Sequence, residues 1–332
     1  MSSNRFPPWL VKRLPNPSNA HNVKSLMRSK NLHTVCEEAK CPNLFDCFSR
    51  GTATFMIAGD ICTRTCGYCS VSKGMPFDLD LMEPFNVAET ARIMKLKHVV
   101  VTMVNRDDLF DGASEHVANT VRAVRDKNPM AKIEVLVSDF LGDIKSVKTV
   151  VESGPDVFNH NMETVRRLFL RVRPNGDFNR SLEVLSVAKK LDPNIVTKSG
   201  VMVGLGEKED DVYSLMDDLR DPQVSCDILT VGQYLQPQKK AIPVKEYIHP
   251  DVYNRYRIAA KEKGFSSVFA GPFVRSSYNA AEALELAQGE IEASSYDLEG
   301  KRYMTVNGLG ENISPVDRKK QRVNFFSQVE YE

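Results

Sequence analysis

The chain has 332 residues, with 44 Lys and Arg against 43 Asp and Glu for a net charge of +1, and 42% hydrophobic residues. A chain of this length builds a core without staples. The balanced charge argues against a dedicated nucleic-acid binder, no apolar run reaches the roughly 18–20 residues of a membrane span, and the composition excludes a collagen, a disordered chain and a disulfide miniprotein. The exception to this plain profile is cysteine: six of the seven lie between Cys36 and Cys69.

In chain order, residues 1–50 read as an irregular arm with three of the cysteines. Basic residues (Arg5, Lys12, Arg13, Lys24, Arg28, Lys30) precede the first acid, Glu37. Pro7, Pro8, Pro15 and Pro17 oppose the amphipathic helix of a transit peptide, and no apolar signal core is visible. The expected setting is a reducing cytoplasm, where clustered cysteines act as metal ligands or redox groups. A rhythm then begins. Thr52–Ala58 is a strand followed by a cysteine-rich loop, and Val87, Ala91 and Met94 mark a helix face. His98–Met103 is a buried strand, Val117, Val121 and Val124 another helix, and Lys132–Val137 a strand. The next helix stops at Gly154-Pro155. Asp156–Asn159, Ile195–Val203 and Asp227–Tyr234 are further strands. Their helices run through Leu182, Leu185 and Ala188, through Asp210–Arg220, and through Asp251–Lys263.

Six strand–helix units imply a parallel sheet. The expected fold is α/β, a partial (β/α)6 TIM-type barrel, with a doubly wound sheet as the alternative. In either, loops at the C-terminal strand ends form the site. Gly264–Ala270 reads as one more short strand, and Ala280, Leu284, Ala287 and Ile291 as a last helix. Beyond about Ser294 the pattern fades into a solvated tail with a basic run at Arg318-Lys319-Lys320. The division expected is an arm (1–50) carrying cysteines, a barrel (51–270), and a C-terminal segment (271–332).

Cys62, Cys66 and Cys69 form a C-x3-C-x2-C in the loop after the first strand. Thiolates are the usual ligands of iron–sulfur clusters. Three of them leave one iron of a cubane open for a ligand, as in catalytic zinc sites. Cys36, Cys41 and Cys47, at C-x4-C-x5-C, match no zinc finger and suggest a second cluster, again one ligand short. Cys226 stands apart and reads as a buried apolar residue.

These motifs resemble the radical S-adenosylmethionine superfamily and, within it, the lipoyl synthase family. The resemblance extends through PPWLVKRLP (7–15), VCEEAKCPNLFDCF (35–48), DICTRTCGYCSV (60–71), VNRDDLFDGA (104–113), VFNHNMETV (157–165), RVRP (171–174), SGVMVGLGE (199–207), TVGQYLQP (230–237) and GPFVRSSY (271–278). It covers roughly residues 6–281. It implies insertion of two sulfur atoms at C6 and C8 of an octanoyl chain. That chain is carried on a lysine of the lipoyl domains of 2-oxoacid dehydrogenase E2 subunits or of the glycine-cleavage H protein. The implied cofactors are two 4Fe–4S clusters and S-adenosylmethionine, since unactivated C–H bonds require radical chemistry that a cofactor carries. By the same resemblance Cys62, Cys66 and Cys69 hold the reducing cluster. Cys36, Cys41 and Cys47 hold an auxiliary cluster that donates sulfur, completed by a serine of Arg275-Ser276-Ser277-Tyr278, with Ser277 favoured over Ser276.

The residues expected to contact S-adenosylmethionine are Tyr68, Arg106, Asn159, Glu163, Arg173, Gly204 and Glu207, with Asp107, His160 and Arg171 similarly placed. Glycines at a helix start permit close approach of an anionic group, and Arg173 could pair with a carboxylate. The resemblance further implies a low-potential reductant of ferredoxin or flavodoxin type, an iron–sulfur carrier protein, no nucleic acid, no membrane and a monomer. Two positions depart from the family's common form: Asn105 stands in place of aspartate, and Arg166 in place of proline.

Overall fold

The computed structural model describes residues 6–11, 18–49 and 54–290. Ile291 and the basic run Arg318–Lys320 lie outside the described residues. The N-terminal arm is more regular than its composition suggests. It holds α1 (Ser18–Ser29), β1 (His33–Thr34), α2 (Val35–Glu38) and α3 (Leu44–Ser49). α1 buries Val23 and Met27, one turn apart, against the core. The Thr34 hydroxyl caps α2 by accepting from the Glu37 amide at 3.3 Å.

The body continues through β2 (Thr54–Ile57), β3 (Ile61–Cys62), β4 (Ser72–Lys73), α4 (Glu83–Ile93), β5 (His98–Met103), α5 (Ser114–Lys127), β6 (Lys132–Leu136) and α6 (Ile144–Glu152). It ends with β7 (Val157–Asn159), α7 (Phe169–Val172), α8 (Phe178–Leu191), β8 (Val196–Val203), α9 (Glu209–Arg220), β9 (Ile228–Gln233), α10 (Pro250–Glu262), β10 (Ser267–Gly271) and α11 (Ala280–Ala287). Local chemistry accounts for many of these boundaries. The Asp143 and Asp177 carboxylates accept from amides in the first turns of α6 and α8, at 3.0 and 2.8 Å. Gly154, just past α6, takes φ +81°, a left-handed turn that suits glycine.

The eight-stranded sheet runs β1-β2-β5-β6-β7-β8-β9-β10. β1 pairs antiparallel with β2, and every other pairing is parallel. Strand order follows chain order without reversing, which fits a barrel winding and not a doubly wound sheet. Among the described residues β10 does not pair back to β2, so the barrel is open. Its parallel strands among those residues number seven, because Ser267–Gly271 joins the six units read from the sequence. β5 and β9 are buried nearly throughout, as expected of parallel strands covered on both faces. On α5, Val117, Val121 and Val124 are at most 1% exposed, and burial of each contributes roughly 1.5–3 kcal/mol. No helix of the described residues is long and apolar enough to cross a membrane.

Candidate active site

A cavity of about 320 Å³ opens at the C-terminal ends of the parallel strands. Its wall includes all six clustered cysteines together with Arg275, Ser276, Ser277 and Tyr278. Segments more than 200 residues apart therefore meet in one space. The thiols are free of disulfides.

The loop bearing Cys62, Cys66 and Cys69 is held along its whole length. Its ends are clamped by the short parallel ladder of β3 and β4 and by the Gly74 amide, which donates to the Cys62 carbonyl at 3.1 Å. In its middle the Gly67 amide donates to the Val172 carbonyl, and the Ile242 amide to the Gly67 carbonyl, both at 2.9 Å. A Cβ at Gly67 would come within 2.7 Å of the Ile242 side chain, so glycine permits this approach. Between the first two cysteines, the buried Arg64 guanidinium donates to Asp107 at 2.7 and 2.8 Å and to Asp139 at 2.5 Å. Asp139 also accepts from Arg180 at 2.8 Å. Burial raises the Asp139 carboxyl, but these cations overcome that effect and hold it well below the ordinary range.

The arm's triplet is brought against the segment after β10 by Asn43, which lies between Cys41 and Cys47. Its side-chain amide donates to the Phe273 carbonyl at 2.6 Å. On the other side Gly232 of β9 faces this segment. A Cβ there would overlap the Val274 carbonyl. The two serines then differ. Ser276 Oγ donates to Asn161 Oδ1 and accepts from Asn159 Nδ2, each at 2.9 Å. Ser277 also lines the cavity, and among the described residues its hydroxyl has no hydrogen-bond partner.

Burial, without a neighbouring positive charge strong enough to offset it, pushes up the thiols of Cys36, Cys66 and Cys69, that of Cys69 to about 12. Bound iron reverses this, because a metal deprotonates the thiols that coordinate it. Among the described residues no three His, Cys, Asp or Glu side chains converge on a single ion. The wall also carries buried polar atoms without partners: Arg64 Nη1, Asn105 Oδ1 and His160 Nε2. His160 Nδ1 donates to the Val137 carbonyl at 2.9 Å. Burial and the nearby Arg173 hold its pKa down to about 4, so at neutral pH its Nε2 is a bare acceptor. A guanidinium donor beside amide and imidazole acceptors suits a ligand with both amino and carboxylate groups, and the donor set as a whole fits two thiolate-held clusters.

Of the residues expected to contact S-adenosylmethionine, Tyr68, Glu163 and Arg173 line this cavity. Glu163 accepts from Asn161 Nδ2 at 3.0 Å, and Tyr68 acts to lower its pKa. Burial raises its pKa despite the nearby Arg173. Arg173 donates to the Asn161 carbonyl at 2.8 Å. The other four are not on the wall. Arg106 chelates Asp108 and donates to the Ala58 carbonyl. Asn159 is fully buried behind Ser276. Glu207 accepts from the amides of Gly204 and Leu205, so the loop's donors are satisfied by its own carboxylate. Gly204 itself packs against Gln233 and the Glu246 carbonyl.

Residues that line the wall without having been anticipated are Arg64, Asn105, Asn161 and Gln233. At the first departure from the family form, Asn105 Nδ2 donates to Cys62 Sγ at 3.6 Å, a bond an aspartate cannot make. At the second, Arg166 lies outside the cavity, with its guanidinium over the Phe178 ring and bonded to Asn179. Cys226 is fully buried with its thiol near backbone carbonyls, as expected of a packing residue.

Residues 56–219 match the radical SAM superfamily, and residues 1–41 match the N-terminal domain of lipoyl synthase of that superfamily. Among solved structures, methylornithine synthase (PylB) shares the fold with a TM-score of 0.51 at 13% identity, over 93% of this chain and 90% of that one. Streptococcus suis SuiB bound to S-adenosylmethionine does so with a TM-score of 0.51 at 14% identity, over 75% and 57%. Fold and cysteine-lined mouth thus define an enzyme of the radical S-adenosylmethionine class.

Curated relatives carry the assignment further. Lipoyl synthase of Halalkalibacterium halodurans is 52% identical over 87% of this chain and 95% of its own length. That of Geobacillus kaustophilus is 54% identical over 85% and 95%. The chain belongs to the lipoyl synthase family, and it is a sulfurtransferase.

Proposed function

We propose that this chain inserts sulfur at C6 and C8 of an octanoyl group held on a lysine of a lipoyl domain or H protein. Cys62, Cys66 and Cys69 hold one 4Fe–4S cluster; Cys36, Cys41, Cys47 and Ser277 hold the other. What supports the reading above all is that both triplets and Ser277 line a single cavity at the barrel mouth. When bound, the clusters and S-adenosylmethionine supply electrons, hydrogen abstraction and sulfur, chemistry that side chains lack.

The chain's own residues bind and orient. Arg64, fixed between Asp107 and Asp139, holds the reducing loop in place. Arg173, Glu163 and His160 present a cation, a raised carboxyl and a neutral acceptor to the amino-acid end of S-adenosylmethionine. The Ser277 hydroxyl is a weaker iron ligand than a thiolate, which suits a cluster that gives up sulfur. Residues such as Val71, Met103, Val104 and Met202 line the same cavity and help to exclude water. The reaction needs a low-potential reductant of ferredoxin or flavodoxin type and, between turnovers, an iron–sulfur carrier; the setting is the cytoplasm.

Anaerobic reconstitution should load about eight irons per chain, four for each cubane. With S-adenosylmethionine, a reductant and an octanoyl-lysine peptide, the enzyme should then add sulfur to the peptide. Cys36→Ala should form 5′-deoxyadenosine yet lose sulfur insertion, and Cys62→Ala should lose both. Normal sulfur insertion by both variants would refute the two-cluster reading.

A further inference from the structure

Behind the serine pair runs an unbroken line of hydrogen bonds that the activity does not itself account for. It starts at Lys198 of β8, whose ammonium donates to both oxygens of Glu134 of β6, each at 3.0 Å. Both residues are fully buried. Glu134 Oε1 accepts from Asn159 Nδ2 at 2.9 Å, and the same amide donates to Ser276 Oγ at 2.9 Å. Ser276 donates in turn to Asn161 Oδ1 at 2.9 Å. Asn161 Nδ2 then donates to Glu163 at 3.0 Å.

The direction of the line is set by charge. An ionised carboxylate accepts and cannot donate, so Glu134 obliges Asn159 to point its NH2 outward. The Ser276 hydroxyl must then accept from Asn159, and its own proton is left for Asn161. Room for Asn161 is provided at Gly200 of β8, where a Cβ would sit 2.8 Å from Asn161 Oδ1.

We propose that Ser276 is a positioning residue. Its hydroxyl, gripped between Asn159 and Asn161, latches the segment after β10 to the barrel floor and thereby turns the Ser277 hydroxyl toward the auxiliary cysteines. The inference rests on the reading of Ser277 as a cluster ligand and adds the device that places it. Two features make the latch firm. Its far end is a buried ion pair that strongly resists loss of either partner. Its near end, a hydroxyl with both hydrogen-bonding directions used, has one orientation. Adjacent serines on the same wall thus take different tasks: the Ser276 hydroxyl is spent on protein hydrogen bonds, and the Ser277 hydroxyl is left for a ligand.

The test is a double-mutant cycle on the full chain, in a background with Cys62, Cys66 and Cys69 changed to Ala so that iron resides in the auxiliary site. After anaerobic reconstitution, the rate of iron release to a chelator is measured for Ser276→Ala, Ser277→Ala, the double variant and Ser276→Thr. Ser276→Ala should release iron about tenfold faster, the lower end of the range for loss of groups that support metal ligands. Ser277→Ala, which removes the ligand itself, should release it at least as fast. The double variant should be no faster than Ser277→Ala alone, because Ser276 acts through Ser277, and Ser276→Thr should return to within about twofold of the parent. Accelerations that multiply would show a merely structural role and overturn the latch, since independent sites add in free energy. An unchanged rate for Ser276→Ala overturns it as well. If Ser276→Ala accelerates release and Ser277→Ala does not, Ser276 is itself the ligand and the assignment is reversed. If neither does, the serine-ligand reading falls, and the latch with it.

Discussion

Replacing Lys198 by Met removes the cation that faces Glu134 inside the barrel while nearly keeping its volume. Burial by itself raises the Glu134 carboxyl. The Lys198 ammonium and the His98 imidazole, 3.6 Å away, overcome this and hold its pKa down to about 2 against an ordinary 4.5. A difference of that size corresponds to about 3 kcal/mol of native stability at neutral pH. This agrees with the roughly 3–5 kcal/mol lost when a buried pair is broken from one side. Because the folded pKa is depressed, the contribution is fully present above the ordinary value of 4.5 and is lost as the pH falls toward 2. In Lys198→Met the unpaired carboxyl should instead titrate above its ordinary value and take up a proton to escape burial as an ion. Urea unfolding of the apo chain under reducing, anaerobic conditions should therefore show a deficit of more than about 3 kcal/mol at pH 7 that narrows toward about 3 kcal/mol at pH 4.5. Coincident unfolding curves at pH 7, or a deficit that widens on acidification, would refute the reasoning.

Four further outcomes follow from the site. Arg64→Met should strand Asp139, a fully buried carboxylate left with Arg180 and the Leu141 amide, and cost about 3 kcal/mol; iron analysis of the Cys62–Cys69 site should show the loss in a chain that still folds. Asn105→Asp should lower the reduction potential of the cluster bound to Cys62, because it exchanges an N–H donor to sulfur for a negative charge; anaerobic redox titration followed by EPR reads the shift, and an unchanged or higher potential counts against it. Gly232→Ala would drive a methyl group into the Val274 carbonyl, so iron at the auxiliary site should fall and sulfur insertion with it, while Gly154→Ala, which strains a left-handed residue away from the cavity wall, should lose stability but retain both. Cys226→Ala should insert sulfur at the parental rate, since its thiol is buried, pushed up to about 12 and away from the cavity wall; a loss beyond about twofold at equal iron content would show a role that packing does not supply.

The barrel was legible wherever apolar residues came in runs or at helical spacing. His98–Met103 is an example: β-branched residues crowd a strand that is covered on both faces. α1 escaped the same reading because a polar twelve-residue segment anchors to the core at Val23 and Met27, too few positions to form a periodic stripe. The cysteines were legible by residue type, since six thiols in one window call for metal whatever the fold around them.

The contacts around the cavity were less legible, for a physical reason. A Gly-Leu-Gly-Glu turn at a strand end serves equally to receive an anion or to be capped by its own glutamate, and here Glu207 takes the Gly204 and Leu205 amides. Arg106 and Arg64 both sit near acids in sequence or space. Arg106 closes on Asp108, two positions away, whereas Arg64 reaches Asp139, 75 positions away. A pairing at such separation is written in the topology and not in any local motif.

The serine pair shows the same limit most sharply. Ser276 and Ser277 are chemically identical neighbours, and nothing within ten residues of them distinguishes a latch from a ligand. The difference arises from Asn159 and Asn161, 117 and 115 positions earlier. Those amides alternate along the end of one strand and are oriented by a carboxylate that Lys198 keeps ionised. The division of labour between the two hydroxyls is therefore set by a buried charge on the two strands, β6 and β8, that flank those amides.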